Sequence, residues 1–216
     1  AGLVDKLKSL GVKYLHVFGV DNILAKPADP RFIGACIDAH AECGNKSVWK
    51  SGPDEKVGVI ARKSGKYCVI EYSELPEAMR QNWQQFGAGN IVNHFFTTDF
   101  LAKLCCGSID TSSYYHRAEK KIRAWNKVTK KSEKPESTNN AIKLESFIFD
   151  VFPLAASFCI VEAEREEEFA PIKNATGAKT DTPETALELI KNRDARRIEF
   201  YGGIIEGKEM VEISSL

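Results

Sequence analysis

The sequence predicts an α/β protein: a mixed sheet flanked by helices, followed by the start of a small C-terminal β region. Three observations carry this. Helix-like and strand-like segments alternate over residues 3–50, the rhythm of a parallel, wound sheet. Two short apolar runs joined at Ser64-Gly65 read as a hairpin, which adds antiparallel pairing. An apolar run over residues 88–96 is followed by Thr97-Thr98-Asp99, a strand running straight into a helix cap.

Leu3, Val4, Leu7 and Leu10 recur at helical spacing, and Gly11 stops that helix. Residues 12–20 read as a buried strand ending at Asp21. Asp29-Pro30 opens the next helix, with a side-chain acceptor before a proline at the first position. Phe32, Ile33, Cys36, Ile37 and His40 form its inner face, and Gly44 closes it. Residues 46–50 form a strand, and residues 57–62 and 67–72 form the hairpin. The Lys-, Ser-, Glu- and Asn-rich residues 120–140 read as an exposed, mobile connection. Residues 144–158 read as a strongly apolar helix, followed by a strand at 159–163. Thr182-Pro183 starts another helix. Residues 197–201, Gly202-Gly203 and residues 210–214 suggest a terminal β-hairpin or sheet fragment, so residues 1–192 separate from a β region at 193–216.

Composition narrows the function classes. With 30 basic and 30 acidic residues, net charge is zero, which gives no argument for nucleic-acid or membrane partners. No apolar run approaches the roughly 18–20 residues of a membrane span. Asp5, Lys6 and Lys8 interrupt the first ten residues, unlike a signal peptide. The six cysteines include no CxxC pair, and His16, His40, His94 and His116 form no ligand-spaced cluster. That argues against a zinc site and for reduced, mostly buried thiols in a cytoplasmic protein.

Several residues carry the right chemistry for an anion and sugar site. Asp21-Asn22 follows a strand, where ligands bind in open α/β sheets. A carboxylate there can hold a divalent cation on a nucleotide phosphate, or the pair can simply make a turn. Glu71-Tyr72 ends a hairpin strand: the acid can accept sugar hydroxyl protons and the ring can cover a sugar face, or the pair is a plain strand end. Gly87-Ala88-Gly89-Asn90 allows close backbone approach and supplies an amide, yet lacks the Gly-Lys-Ser/Thr ending of a phosphate loop. Lys143 and Lys173 can neutralise phosphate or be solvated surface lysines. Phe147 and Phe149 read as core, and the acidic run 162–168 as a solvated face.

Taken together and in order, these pieces resemble one family. HVFGVDNILAKPADPRFIG (16–34), VGVIARKSGKYCVIEYSE (57–74), GAGNIVNHFFTTDFL (87–101), AIKLESFIFDVF (141–152) and EREEEFAPIKNATG (164–177) are similar to successive segments of eukaryotic UDP-N-acetylhexosamine pyrophosphorylases. The resemblance implies a glycosyltransferase-A-like, Rossmann-related catalytic domain over residues 1–192. It implies that UTP and N-acetylglucosamine-1-phosphate become UDP-N-acetylglucosamine and pyrophosphate, with Mg2+, and N-acetylgalactosamine-1-phosphate is a second candidate substrate. By position, Asp21 stands at the UTP phosphates and metal and Lys143 at the UTP phosphates. Glu71, Tyr72 and Asn90 hold the sugar, and Lys173 its phosphate. That family's glycine-rich triphosphate loop and Gly-Asn-Gly-Gly motif are absent from these 216 residues. A fragment cut at both ends is therefore expected, weak in UTP binding and turnover by itself. Rival readings are a UDP-glucose or UDP-sugar pyrophosphorylase of the same fold and a noncatalytic nucleotide-sugar-binding fragment.

Overall fold

The structure is a computed structural model that describes residues 2–106, 115–206 and 211–213. Helix α1 (Leu3–Ser9) leads to strand β1 (Tyr14–Phe18), and α2 (Pro30–Asp38) to β2 (Cys43–Trp49). The hairpin β3 (Val59–Lys63) and β4 (Lys66–Ile70) turns at Ser64 and Gly65, both at positive φ, as a type I′ turn needs. Helix α3 (Glu77–Gln81) precedes the ten-residue β5 (Ala88–Thr97), which runs directly into α4 (Thr98–Cys106). There Phe100 N–H donates to Thr97 Oγ1 at 3.1 Å, as the capping signal implies. Strand β10 (Phe158–Glu162) completes the main sheet, whose order is β10-β2-β5-β3-β4, with β1 also on β5.

The sheet is mixed, but mostly antiparallel; β10 with β2 is its parallel pair. The helix between β1 and β2 does make them point the same way. Strand β5 inserts between them and pairs antiparallel with both, Val17 opposite His94 and Asn45 opposite His94 from the other side. Alternation along the chain therefore did not imply adjacent parallel strands. Strand β1 is also shorter and more exposed than a buried strand over 12–20, and Val20 is almost fully exposed.

Two apolar layers cover the sheet. Phe32 and Cys36 of α2 pack on Phe95. Gly44 does not end that helix: it lies in β2, where an added Cβ would collide with Cys36 Sγ and stand 3.2 Å from Phe95 Cβ. His40 leaves the helix at positive φ and is exposed. On the other face, Phe96, Phe100, Phe149 and Phe152 form the larger cluster with Ile60 and Val69. His94 lies among them, 5.1 Å from the Phe152 ring and fully buried. Burial pushes its pKa down to about 3, so it is a neutral packed ring rather than a proton-transfer group. Cys36 and Cys43 are buried and their thiols pushed up by burial, but Cys105 and Cys106 are exposed, against the expectation of mostly buried thiols.

Three further expectations change. The polar stretch 120–140 is no bare connection: β6 (His116–Lys120) pairs with β9 (Ala141–Glu145), and β7 (Ala124–Asn126) with β8 (Lys131–Glu133). The apolar run 144–158 is no α-helix. It divides among the end of β9, a 3-10 helix at Ile148–Leu154 and the start of β10, because Pro153 lies inside it and Asp150 Oδ2 accepts from Phe147 N–H at 2.7 Å. After α5 (Arg165–Glu168), α6 runs Pro183–Phe200 across the expected 192/193 boundary. Residues 197–200 are thus helical, and Gly202 at φ 84° ends the helix with Gly203 N–H on Ile198 O. The glycine pair is a helix stop, not a hairpin turn. Residues 211–213 form no strand, and Met210 and Ser214 lie outside the described residues.

Candidate active site

The site gathers where five strand ends meet. Strands β2 and β10 finish there, β5 begins there, β3 begins beside the start of β5, and β4 ends beside the start of β3. Asn90 N–H donates to Gly58 O at 2.7 Å, and a Cβ on Gly58 would stand 2.7 Å from Glu71 Oε1. The missing side chain at Gly58 therefore lets the Glu71 carboxylate lie against the backbone beside Asn90. Burial pushes the Glu71 carboxyl above its ordinary value; His116 opposes this, while Glu74, Asp150 and Glu145 add to it. Asn90 is buried, and its Oδ1 accepts from Val92 N–H at 3.1 Å. Among the described residues no group accepts from its amide –NH2. Gly87 and Gly89 serve the protein's own packing: added Cβ atoms would stand 2.8 Å from Trp49 Nε1 and 2.9 Å from Val48 O.

Tyr72, 43% exposed, projects into a cleft of about 860 Å³ whose walls include residues 51–57, Arg165, Phe169, Lys173 and Asp181. Two cations converge on one ring in that cleft. Lys173 Nζ is 5.9 Å and the Arg165 guanidinium 5.1 Å from the Phe169 centroid. Arg165 also pairs with Glu55, whose Oε2 accepts from Ser51 N–H at 2.7 Å, so it fastens the 51–56 loop along the cleft.

Asp21 is brought to the same region by its neighbour. Asn22 is buried; its Nδ2 donates to Glu168 O at 2.8 Å, and its Oδ1 accepts from Ala170 N–H at 2.9 Å. Ile172 N–H donates to Asp21 O at 2.9 Å, which lays the Asp21 loop beside the segment carrying Lys173. Asn22 is thus an anchor, bridged antiparallel to Pro171, and Asp21 lies in the turn before it, which Asn22 N–H closes on Gly19 O at 3.3 Å.

Beneath this, Lys46 is a fully buried cation. Its Nζ lies 2.5 Å from both Asp29 Oδ2 and Glu168 Oε2, and Lys26 Nζ is 3.0 Å from Glu168 Oε1. The acidic run is therefore not one solvated face: Glu168 is in this cluster, and Glu167 meets Arg197 at 2.7 Å. Opposite Lys46, β5 bulges between the Asn45 and Ser47 pairings, with Val92 at φ 53°.

Lys143 stands apart from the cleft. It sits within β9, not before a helix, and pairs with Glu145 at 2.8 Å. Glu145 and Phe147 line a smaller hollow with Glu71, Tyr72 and His116. Glu71, Tyr72, Asn90, Lys173 and the Asp21 loop are therefore brought together, with Lys143 on an adjoining ribbon. Sequence reasoning passed over Arg165, Phe169 and Gly58. No spacing marks them, because each works through contacts between segments far apart in the chain.

Among the described residues no three His, Cys, Asp or Glu side chains gather as a metal site. Asp21 supplies one carboxylate, which by itself cannot cage a divalent cation.

A family model described as UTP–glucose-1-phosphate uridylyltransferase matches residues 1–181. The chain belongs to that family. Within it, the chain is 46% identical over 197 residues to a Xenopus tropicalis protein named UDP-N-acetylhexosamine pyrophosphorylase-like protein 1, covering 87% of this chain and 37% of that one. It is 41% identical over 216 residues to Saccharomyces cerevisiae UDP-N-acetylglucosamine pyrophosphorylase, covering 95% and 44%. The solved structure of Trypanosoma brucei uridine diphosphate N-acetylglucosamine pyrophosphorylase, in complex with an inhibitor, overlays with a TM-score of 0.72 at 35% identity, over 90% of this chain and 38% of that one. The chain thus spans about two fifths of the length of these uridylyltransferase-family relatives. Every site segment described above lies within the residues that the family model matches. No helix among the described residues is long and apolar enough to cross a membrane.

Proposed function

We propose that the protein containing this chain is a cytoplasmic uridylyltransferase that makes UDP-N-acetylglucosamine and pyrophosphate from UTP and N-acetylglucosamine-1-phosphate. One observation carries the reading: the Glu71–Asn90 corner, suited to sugar hydroxyl and amide groups, opens through Tyr72 into a cleft where Lys173 and Arg165 converge. Its volume suits a ligand of this size.

An oxygen of the sugar phosphate attacks the α-phosphorus of UTP, and the bond to the β-phosphate oxygen breaks, releasing pyrophosphate. No covalent enzyme intermediate is needed. The chain contributes by aligning two anions and neutralising charge as it builds. Glu71 accepts from sugar hydroxyls, Asn90 donates to the sugar, Tyr72 covers its face and Lys173 meets its phosphate. Lys143, on the adjoining ribbon, meets the UTP phosphates in this reading. Asp21 would hold Mg2+, which supplies charge neutralisation across the phosphates.

A uridylyltransferase using glucose-1-phosphate is the second reading, favoured by the description of the matching family model. Turnover by the full-length protein separates the two. With UTP, N-acetylglucosamine-1-phosphate should be used at least about tenfold better in kcat/KM than glucose-1-phosphate, a difference of about 1.4 kcal/mol. The reverse order supports the second reading. Binding of UDP-N-acetylglucosamine without turnover of either sugar phosphate contradicts both.

A further inference from the structure

His116 is the first residue of β6, the strand that pairs with β9 and holds the ribbon carrying Lys143, with Ala118 opposite Lys143. Its Nδ1 is 2.9 Å from Glu74 Oε1, and its Nε2 is 2.8 Å from Asp150 Oδ1. A neutral imidazole carries one N–H and can satisfy one of these acceptors; donation to both requires the imidazolium. The two carboxylates come from different elements. Asp150 belongs to the 3-10 helix, where its other oxygen accepts from Phe147 N–H. Glu74 closes the turn after β4, its N–H donating to Glu71 O at 2.9 Å. The ring also packs 5.1 Å from Phe147. One side chain therefore joins the Lys143 ribbon, the Glu71–Tyr72 corner and the 3-10 helix.

We propose that His116, as imidazolium, is a positioning residue that fastens the Lys143 ribbon against the Glu71–Tyr72 corner, so the sugar site is assembled when the ring is protonated and loosens when it loses its proton. For the sugar site this rests on the proposed function. The charges around the ring agree with it. Glu71 and Glu74 face it from the β4 turn, Asp150 from the 3-10 helix and Glu145 from β9, while Arg117, Glu119 and Lys120 follow it along β6. Lys143 is already engaged by Glu145. Burial works against the ring's charge, but the Asp150 and Glu74 carboxylates outweigh it and hold the pKa above its ordinary value. A raised folded-state pKa gives stabilisation that is full below the unfolded value of about 6.5 and lost as pH rises through the folded value. Losing the charge also removes the nearby cation that opposes the rise of the Glu71 pKa.

The test uses the full-length protein and two readouts. In the first, 15N resonances of the His116 ring should titrate above the ordinary histidine value, with both nitrogens protonated on the acid side of that titration. In the second, KM for N-acetylglucosamine-1-phosphate should rise at least about tenfold as pH passes through that same value, with a smaller change in kcat, as expected when a binding geometry loosens. His116→Gln should raise KM and flatten that pH dependence; His116→Arg, a permanent cation, should flatten it with KM nearer the acid-side wild-type value. A ring titrating at or below its ordinary value overturns the proposal, as does an unchanged pH profile in His116→Gln. Should His116→Gln fail to fold, the wild-type titration and KM profile still decide. If no sugar phosphate turns over, the proposed function fails separately, and the ring nitrogens still report whether the fastening exists.

Discussion

Lys173→Ala in the full-length protein should lower kcat for UDP-N-acetylglucosamine formation by about 10²–10³-fold, the usual effect of deleting one preorganised group that meets developing charge. Lys173 stands over the Phe169 ring in the cleft, with its backbone tied by N–H donation to Asp181 O at 2.8 Å. It is therefore held before substrate arrives, and its charge acts in a partly enclosed site where it is worth more than in water. Lys143→Ala should cost less, about tenfold: Lys143 is 63% exposed and spends part of its charge on Glu145. Steady-state kinetics of the two variants checks the order. Equal losses would mean that the ribbon lies closer to the reacting phosphates than its position suggests.

Lys46→Ala should destabilise the full-length protein by about 3–5 kcal/mol in denaturant unfolding, the range for removing one partner of a buried pair. The substitution strands Asp29 and Glu168 beside one remaining cation, Lys26. Replacing the cluster together, Asp29→Asn with Lys46→Met and Glu168→Gln, should recover most of that stability, because no buried charge is then left unpaired. Activity should not recover with it. Glu168 starts the segment whose backbone Asn22 grips and which leads to Lys173. A triple variant that is stable and fully active would show that the cluster does not set the site's geometry.

The sequence made local structure legible where local chemistry decides it. Asp29-Pro30, Ser64-Gly65, Thr97-Thr98 and Thr182-Pro183 each have a specific capping or turn requirement, and each lies where expected. Long-range pairing was not legible. Nothing in residues 12–50 shows that β5, some forty residues further on, inserts between β1 and β2. The run 144–158 misled because apolar content does not separate a buried helix from a strand end followed by a 3-10 turn. Gly202-Gly203 misled because glycine serves both hairpins and helix ends. At the candidate site, Glu71, Tyr72, Asn90 and Lys173 were singled out by their order and by family resemblance, and the fold brings them together. Their support was not: a lysine within a polar strand gives no sign that it is buried between two carboxylates, and His116 looked isolated because Glu74 and Asp150 are distant in the chain.

The central claim is that the cleft between residues 51–57, Tyr72 and Lys173 holds the nucleotide sugar. A crystal structure of the full-length protein with UDP-N-acetylglucosamine and Mg2+ tests it most directly. The expected result is the N-acetylhexose within hydrogen-bond distance of Glu71 and Asn90, its phosphate at Lys173, and the metal at Asp21. A ligand bound with its sugar away from Glu71 and Asn90, or with its phosphates out of reach of Lys173, would contradict the claim.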